Sequence, residues 1–133
     1  MSNAAGGGDI ESDVTEPEVE YRDDPSSPDQ YVLIRLDIPK LKKKMMSDKA
    51  ANATIDLKPT EWSFSLTVTL TDSNAKVYRY AVQKLPYEID TNPKKTKYKV
   101  SKNEKIELML HKATPRSWAR ELSSVGLEHA DQD

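Results

Sequence analysis

The residues most suited to chemistry or recognition are close together near the end of the chain. Lys105, Glu107 and His111 are separated by even numbers of positions in a short apolar and charged stretch. Side chains two residues apart share a face of a β-strand, so these three groups are expected to form one charged face. Such a face sets the specificity and rate of partner binding more than its affinity. The alternative is a solvated face whose cross-strand ion pairs contribute roughly 0.2–1 kcal/mol.

Metal binding and catalysis have weaker support in the same stretch. Glu107, Met109 and His111 together provide one carboxylate and one imidazole, which do not complete the three or four ligands of a zinc site. The chain has no cysteine, which excludes thiolate ligands and cysteine nucleophiles. The three glycines at positions 6–8 precede an acidic stretch instead of a helix, unlike a phosphate-binding loop. We therefore expect no metal, no cofactor and no enzymatic activity.

Two lysine clusters form a candidate basic patch, comprising Lys42, Lys43 and Lys44 in one cluster and Lys95, Lys97 and Lys99 in the other. A nucleic-acid-binding protein would use such residues on phosphates, with a strong dependence on salt. Single-strand binding also needs aromatic stacking platforms, and only Tyr98 lies within either cluster. A binder of nucleic acid or of acidic proteins is therefore an alternative function. Lysines that protect strand edges from self-pairing are the simpler explanation.

Charge divides the chain into three segments. Residues 1–29 contain nine acidic residues and one basic residue, so their net charge is -8, and residues 123–133 contain three acidic residues and no basic one. Residues 30–122 contain nineteen basic and ten acidic residues, a net charge of +9. Hydrophobic residues make up only 36% of the chain. We predict a disordered acidic arm over residues 1–29, one folded domain over residues 30–122 and a short acidic tail over residues 123–133 that is disordered as well.

The apolar pattern of the central segment has a period of two, which is typical of half-buried strands. The clearest example is residues 64–70, where Phe64 begins an alternation of apolar and hydroxyl side chains. This run and residues 76–83 predict a β-hairpin. Seven short strands and no long helical segment favour an all-β, seven-stranded antiparallel β-sandwich. Residues 39–53 are expected to contain a helical turn, and Trp118 and Leu122 predict a final turn that covers one edge of the sandwich.

The order of these elements over residues 29–122 resembles the CS domain, in the form found in calcyclin-binding protein and in kinetochore and plant-immunity co-chaperones. The stretches that carry the resemblance are Tyr31-Val32-Leu33-Ile34-Arg35-Leu36, Trp62-Ser63-Phe64-Ser65-Leu66-Thr67-Val68, Tyr78-Arg79-Tyr80-Ala81-Val82, Leu85-Pro86-Tyr87-Glu88-Ile89, Lys97-Tyr98-Lys99-Val100, Lys105-Ile106-Glu107-Leu108-Met109-Leu110-His111-Lys112 and Trp118. The most specific part is the last strand with its lysines, followed after a short gap by tryptophan. The resemblance implies a seven-stranded sandwich that docks on the ninety-kilodalton heat-shock chaperone.

In that family the contact face includes a lysine and a glutamate of the last strand. The match of Lys105-Ile106-Glu107-Leu108 implies these roles for Lys105 and Glu107, and the corresponding position on the first strand is Leu36. A client protein or a ubiquitin-ligase-type protein is a further class of partner that the resemblance admits. A holdase that acts without the chaperone, like the nuclear-movement proteins, is the second alternative function.

Location and assembly follow from simpler features. The apolar runs are far shorter than the roughly 18 residues that span a bilayer, so we expect no membrane partner. A cytoplasmic monomer is expected. The stretch Lys40-Leu41-Lys42-Lys43-Lys44 also fits the pattern of a nuclear localisation signal and suggests a nuclear pool.

Overall fold

The computed structural model describes residues 14–72, 76–124 and 126–127. These residues form nine strands and one short helix. The strands are β1 (Val14–Thr15), β2 (Glu18–Asp23), β3 (Tyr31–Asp37), β4 (Ala53–Pro59), β5 (Phe64–Leu70), β6 (Val77–Val82), β7 (Ile89–Asp90), β8 (Lys97–Ser101) and β9 (Lys105–Lys112), and the helix is α1 (Ala119–Ser124). No helix among the described residues is both long and apolar enough to cross a membrane.

The strands form two sheets. One sheet has four strands in the order β1-β6-β5-β4, and the other has β2, β3 and β9 in that order, with β7 and β8 both paired to the far side of β9. Neighbouring strands are antiparallel except β1 and β6, which are parallel. The all-β fold class is therefore confirmed. The predicted count of seven strands is wrong for the described residues, because β1 and β2 precede the seven strands that the sequence indicated.

A single hydrophobic core takes residues from both sheets. Alternation in β5 places Phe64, Leu66, Val68 and Leu70 in the core, and their neighbours on the same strand are half-buried. The predicted hairpin of β5 and β6 is confirmed by the antiparallel register of the two strands. Trp118 is fully buried, and the Leu122 N–H donates to its carbonyl at 2.9 Å, so the predicted final turn is also confirmed.

The predicted disorder is wrong for residues 14–29, which lie in the described structure. We call residues 14–23 the N-terminal strap, because β1 pairs with β6 of one sheet and β2 pairs with β3 of the other. The buried Pro17 lies between the two strands. Val19 and Tyr21 pack against the core, while the acidic residues that alternate with them face solvent. This period-two pattern lets an acidic segment contribute apolar side chains to the core. Residues 1–13 lie outside the described residues.

The predicted acidic tail also begins with ordered residues. Ser123 and Ser124 belong to α1, and Leu127 is fully buried. Gly126 adopts a φ of 69° and its N–H donates to the Glu121 carbonyl at 3.1 Å. A glycine with left-handed backbone is the usual way to end a helix. The predicted disorder is therefore wrong for these residues, and Val125 and residues 128–133 lie outside the described part of the chain.

Residues 39–53 form no helical turn. A short hairpin occupies residues 42–51, which we call the lysine hairpin, and an isolated antiparallel bridge joins Lys43 to Ala50. Its ends are tied together by the Ala51 N–H, which donates to the Lys42 carbonyl at 2.8 Å. The spacing of Leu41 and Met45 was compatible with a helix, but only Leu41 is buried.

A buried ion pair fastens the strap to the last strand. Lys112 Nζ has no exposed surface and donates to Asp23 Oδ1 at 2.7 Å and to the carbonyls of Pro28 and Arg116 at 2.6 and 2.5 Å. Asp23 also accepts from the Ser117 hydroxyl at 2.6 Å and from the Trp118 N–H at 3.0 Å. Burial raises the pKa of Asp23, but these hydrogen bonds outweigh it and hold the pKa below its usual value.

Candidate functional site

The outward side of the five-stranded sheet carries the residues that the sequence singled out, and we call it the charged face. Lys105 and Glu107 point outward because Ile106 and Leu108, which alternate with them, are buried in the core. The strand register places Asp37 opposite Lys105 and Arg35 opposite Glu107. Side chains directly opposite each other across two strands are close enough to interact. The two predicted residues therefore lie next to each other within a larger set of charges.

Glu107 is the most firmly held residue of the charged face. Its Oε2 accepts from Arg35 Nε at 3.3 Å and its Oε1 lies 3.5 Å from Lys99 Nζ, so it bridges β3 and β8. Glu20 of β2 lies opposite Arg35 on the other side. The charges in this row alternate in sign from Glu20 through Arg35 and Glu107 to Lys99. Because its side chain is only 19% exposed, Glu107 chiefly positions the two cations beside it.

Lys105 is paired more loosely than Glu107. Its Nζ lies 3.5 Å from Asp37 Oδ1, and the two side chains are 42% and 38% exposed. Exposed ion pairs of this kind typically contribute about 0.2–1 kcal/mol, since water competes for both groups. A partner that supplies a better-placed anion can therefore take over the Lys105 ammonium at little cost in stability.

The implied role of Leu36 in this site is wrong. Leu36 is 1% exposed and lies opposite Ile106, so its side chain belongs to the core. The physical reason is the alternation of strand side chains: the residues of β3 on the same face as Lys105 and Glu107 are the odd-numbered ones, of which Asp37 and Arg35 lie directly opposite those two. Arg35 is the contact that sequence reasoning missed. The sequence signal that could have identified it is the apolar series Val32, Ile34 and Leu36, which alternates with Arg35 and is buried in the structure.

A cavity of about 620 Å³ opens where the strap meets the charged face. Its lining combines three carboxylates, two cations and one valine, contributed by Glu18, Glu20, Asp37, Arg35, Lys105 and Val19. The strap thus extends the charged face with residues that the sequence had assigned to a disordered arm. Such a mixed lining suits charged side chains of a polypeptide.

The opposite end of the charged face is aromatic. The rings of Tyr31 and His111 are 4.9 Å apart and tilted by 55°, and His111 Nδ1 lies 3.2 Å from Asp90 Oδ2. A hydrogen bond from the Asn92 backbone N–H, with a smaller contribution from His111, holds the pKa of Asp90 below its usual value. Within the described part of the chain, no group of three or more His, Cys, Asp or Glu residues could hold a metal ion.

One lysine cluster extends into β8, and the other lies at the C-terminal end of that strand. Lys95 precedes β8, while the lysine hairpin with Lys42, Lys43 and Lys44 contacts its C-terminal end, where the Val100 N–H donates to the Asp48 carbonyl at 2.7 Å. Lys97 and Lys99 face outward along β8, and Lys99 is paired with Glu107. Tyr98 lies opposite Leu108 and packs against the core. Its ring therefore does not stand among the lysines as an open stacking platform.

Comparison with protein-family models, with curated proteins and with solved structures finds no match to this chain.

Proposed function

We propose that this protein is a protein-interaction module of the CS-domain type, acting as a co-chaperone or adaptor that docks on the ninety-kilodalton heat-shock chaperone through the charged face. The observation that supports this most is the placement of Lys105 and Glu107. They lie side by side on an outward sheet face, where Glu107 is paired with Arg35 and Lys99, and Lys105 is paired with Asp37.

The arrangement favours recognition of another protein surface. Glu107 is fixed between two cations before any partner arrives, so binding orders fewer long side chains than an unstructured lysine cluster would require. Alternating charges along a row reject a partner whose own charges are out of register, because like charges then face each other. The face thus offers specificity that the net charge of the chain does not suggest.

The choice of partner rests on the resemblance of the sequence. The Lys105-Ile106-Glu107-Leu108 stretch occupies the strand position at which co-chaperones of this family present their lysine and glutamate. The outward direction of both side chains is compatible with that role. The chaperone is consequently the first partner to test.

Charge reversal at Lys105 tests the proposal. We expect Lys105→Glu to weaken binding to the chaperone's nucleotide-binding domain by about tenfold or more, because the variant faces the partner's anion with a like charge. Isothermal titration calorimetry measures this change. Because the variant loses the exposed pair with Asp37 and places a like charge opposite it, the free energy of unfolding should fall by no more than about 1–2 kcal/mol.

Lys58→Glu is the matched control. Lys58 belongs to the other sheet and has a similar exposed ion pair, with its Nζ 3.4 Å from Asp56 Oδ2. The control should bind the chaperone like the parent chain. Equal affinities for parent, Lys105→Glu and Lys58→Glu, or no binding by the parent, would contradict the proposal. Suppression of client aggregation without any chaperone, together with no binding, would favour the holdase instead.

A further inference from the structure

The tip of the lysine hairpin exposes two adjacent apolar side chains. Met45 is 87% exposed and Met46 is 96% exposed. Methionine is usually buried in folded proteins, and exposed apolar groups that lie together often mark an interaction site. The charged face and its proposed partner make no use of this tip.

The hairpin that carries the methionines is firmly anchored. The Lys44 N–H donates to the Lys49 carbonyl at 2.8 Å across the hairpin. Below it, the side chain of Asn52, a residue that is 7% exposed, accepts from the Lys42 N–H and donates to the Lys40 carbonyl, both at 2.8 Å. The tip is therefore presented by an ordered scaffold.

The backbone at the tip also departs from local preference. Met46 has a φ of 57°, in the left-handed region that is unfavourable for residues other than glycine. The neighbouring Ser47 N–H donates to the Lys44 carbonyl at 3.1 Å and closes the turn. This turn geometry holds both methionine side chains in water.

Lysines surround this apolar tip. Five of them flank the methionines in sequence, namely Lys40, Lys42, Lys43, Lys44 and Lys49, and Asp48 is the only acidic residue among positions 40–51. The turn before β9 contacts the start of this lysine-rich segment, because Glu104 Oε2 accepts from the Lys40 N–H at 2.9 Å. The apolar tip and its cationic surround thus form one unit.

We infer that the lysine hairpin docks on the surface of a bilayer that contains anionic phospholipid. Met45 and Met46 enter the boundary between headgroups and acyl chains, and the lysines contact the lipid phosphates. Exposed apolar side chains set among lysines are the combination by which a peripheral segment binds an anionic bilayer, and both parts are present here. Peripheral binding of this kind needs no membrane-spanning segment. The expectation of no membrane partner considered spanning segments only.

Vesicle flotation with the full chain tests the inference. The parent chain should bind vesicles of phosphatidylcholine mixed with phosphatidylserine and should not bind vesicles of phosphatidylcholine alone. Met45→Ser with Met46→Ser should reduce the partition coefficient by about tenfold or more, since two apolar side chains no longer leave water. Met45→Leu with Met46→Leu should retain binding, because the apolar character is kept.

The lysines are tested by paired charge reversal. Lys43→Glu with Lys44→Glu should abolish vesicle binding, while Lys94→Glu with Lys95→Glu makes the same charge change in the turn before β8 and should leave it intact. If both double variants lost vesicle binding equally, the interaction would be a nonspecific attraction between a cationic protein and anionic lipid, and the inference would be overturned. No binding to the mixed vesicles at low salt, or binding that the serine variants leave unchanged, would overturn it as well. Binding of a soluble acidic polypeptide with the same dependence on both methionines, without vesicle binding, would replace the bilayer by a protein partner.

Discussion

Replacing Asp23 with alanine is expected to lower the free energy of unfolding by about 3–5 kcal/mol. The substitution leaves the Lys112 ammonium fully buried with two backbone carbonyls and no counter-charge. It also removes the acceptor of the Ser117 hydroxyl and the Trp118 N–H. Chemical denaturation measures the change. Asp56→Ala is the matched control, since its ion pair with Lys58 is exposed, and it should change stability by no more than about 0.5 kcal/mol.

Two further results distinguish the buried pair from simple loss of packing. In a double-mutant cycle, Asp23→Ala combined with Lys112→Met should lower the free energy of unfolding by less than the sum of the two single changes, because no buried charge is left alone.

The pH dependence of stability is the second result. In the parent, the contribution of ionised Asp23 to the free energy of unfolding is complete above the pKa of an unfolded aspartate, about 3.9. It is lost as the pH falls through the lower pKa of the folded protein, so Asp23→Asn should flatten the stability profile in that acidic range. An Asp23→Ala variant as stable as Asp56→Ala would refute this account of the pair.

Deletion of residues 1–23 should have a larger effect than any single substitution. It removes β1 and β2, uncovers the edge of one strand in each sheet and takes away Asp23. An unpaired strand edge is a template for association with another chain. We expect this truncated chain to unfold or self-associate, as measured by circular dichroism and by light scattering after size exclusion.

Two shorter deletions serve as graded controls. Removing residues 1–13 leaves both strap strands in place, so its melting temperature is the reference for the two longer deletions. Removing residues 1–17 uncovers only the edge of β6 and should give an intermediate result. A monomeric, fully folded chain after deletion of residues 1–23 would show that the strap is dispensable and that the sequence-based division at residue 30 was the better description.

Period-two alternation was sufficient to locate β3, β5, β6 and β9, because each of these strands buries one face in a common core. The same alternation is present in β2, where a single charged residue, Glu20, separates Val19 from Tyr21. The acidic composition of the whole segment obscured it. The burial of Lys112 could also be predicted, because its position continues the alternating series Ile106, Leu108 and Leu110. Its partner Asp23, however, is 89 residues away in sequence. Pairing at that distance depends on topology, which a local pattern does not contain.

The candidate site was predictable only in part for the same reason. Lys105 and Glu107 share one strand, so their common face follows from spacing alone. Arg35, Asp37 and Lys99 join them through strand register, which the sequence leaves open. The shape of the lysine hairpin was not predictable, because it depends on the buried side chain of Asn52 and on the contact between Asp48 and Val100.

Amide chemical-shift mapping tests the central claim most directly. The isotope-labelled chain is titrated with the unlabelled nucleotide-binding domain of the ninety-kilodalton heat-shock chaperone. We expect the amide chemical shifts to change most around Arg35, Lys99, Lys105 and Glu107, with the four-stranded sheet unaffected. The absence of perturbations at high chaperone concentration, or perturbations confined to the four-stranded sheet, would contradict it.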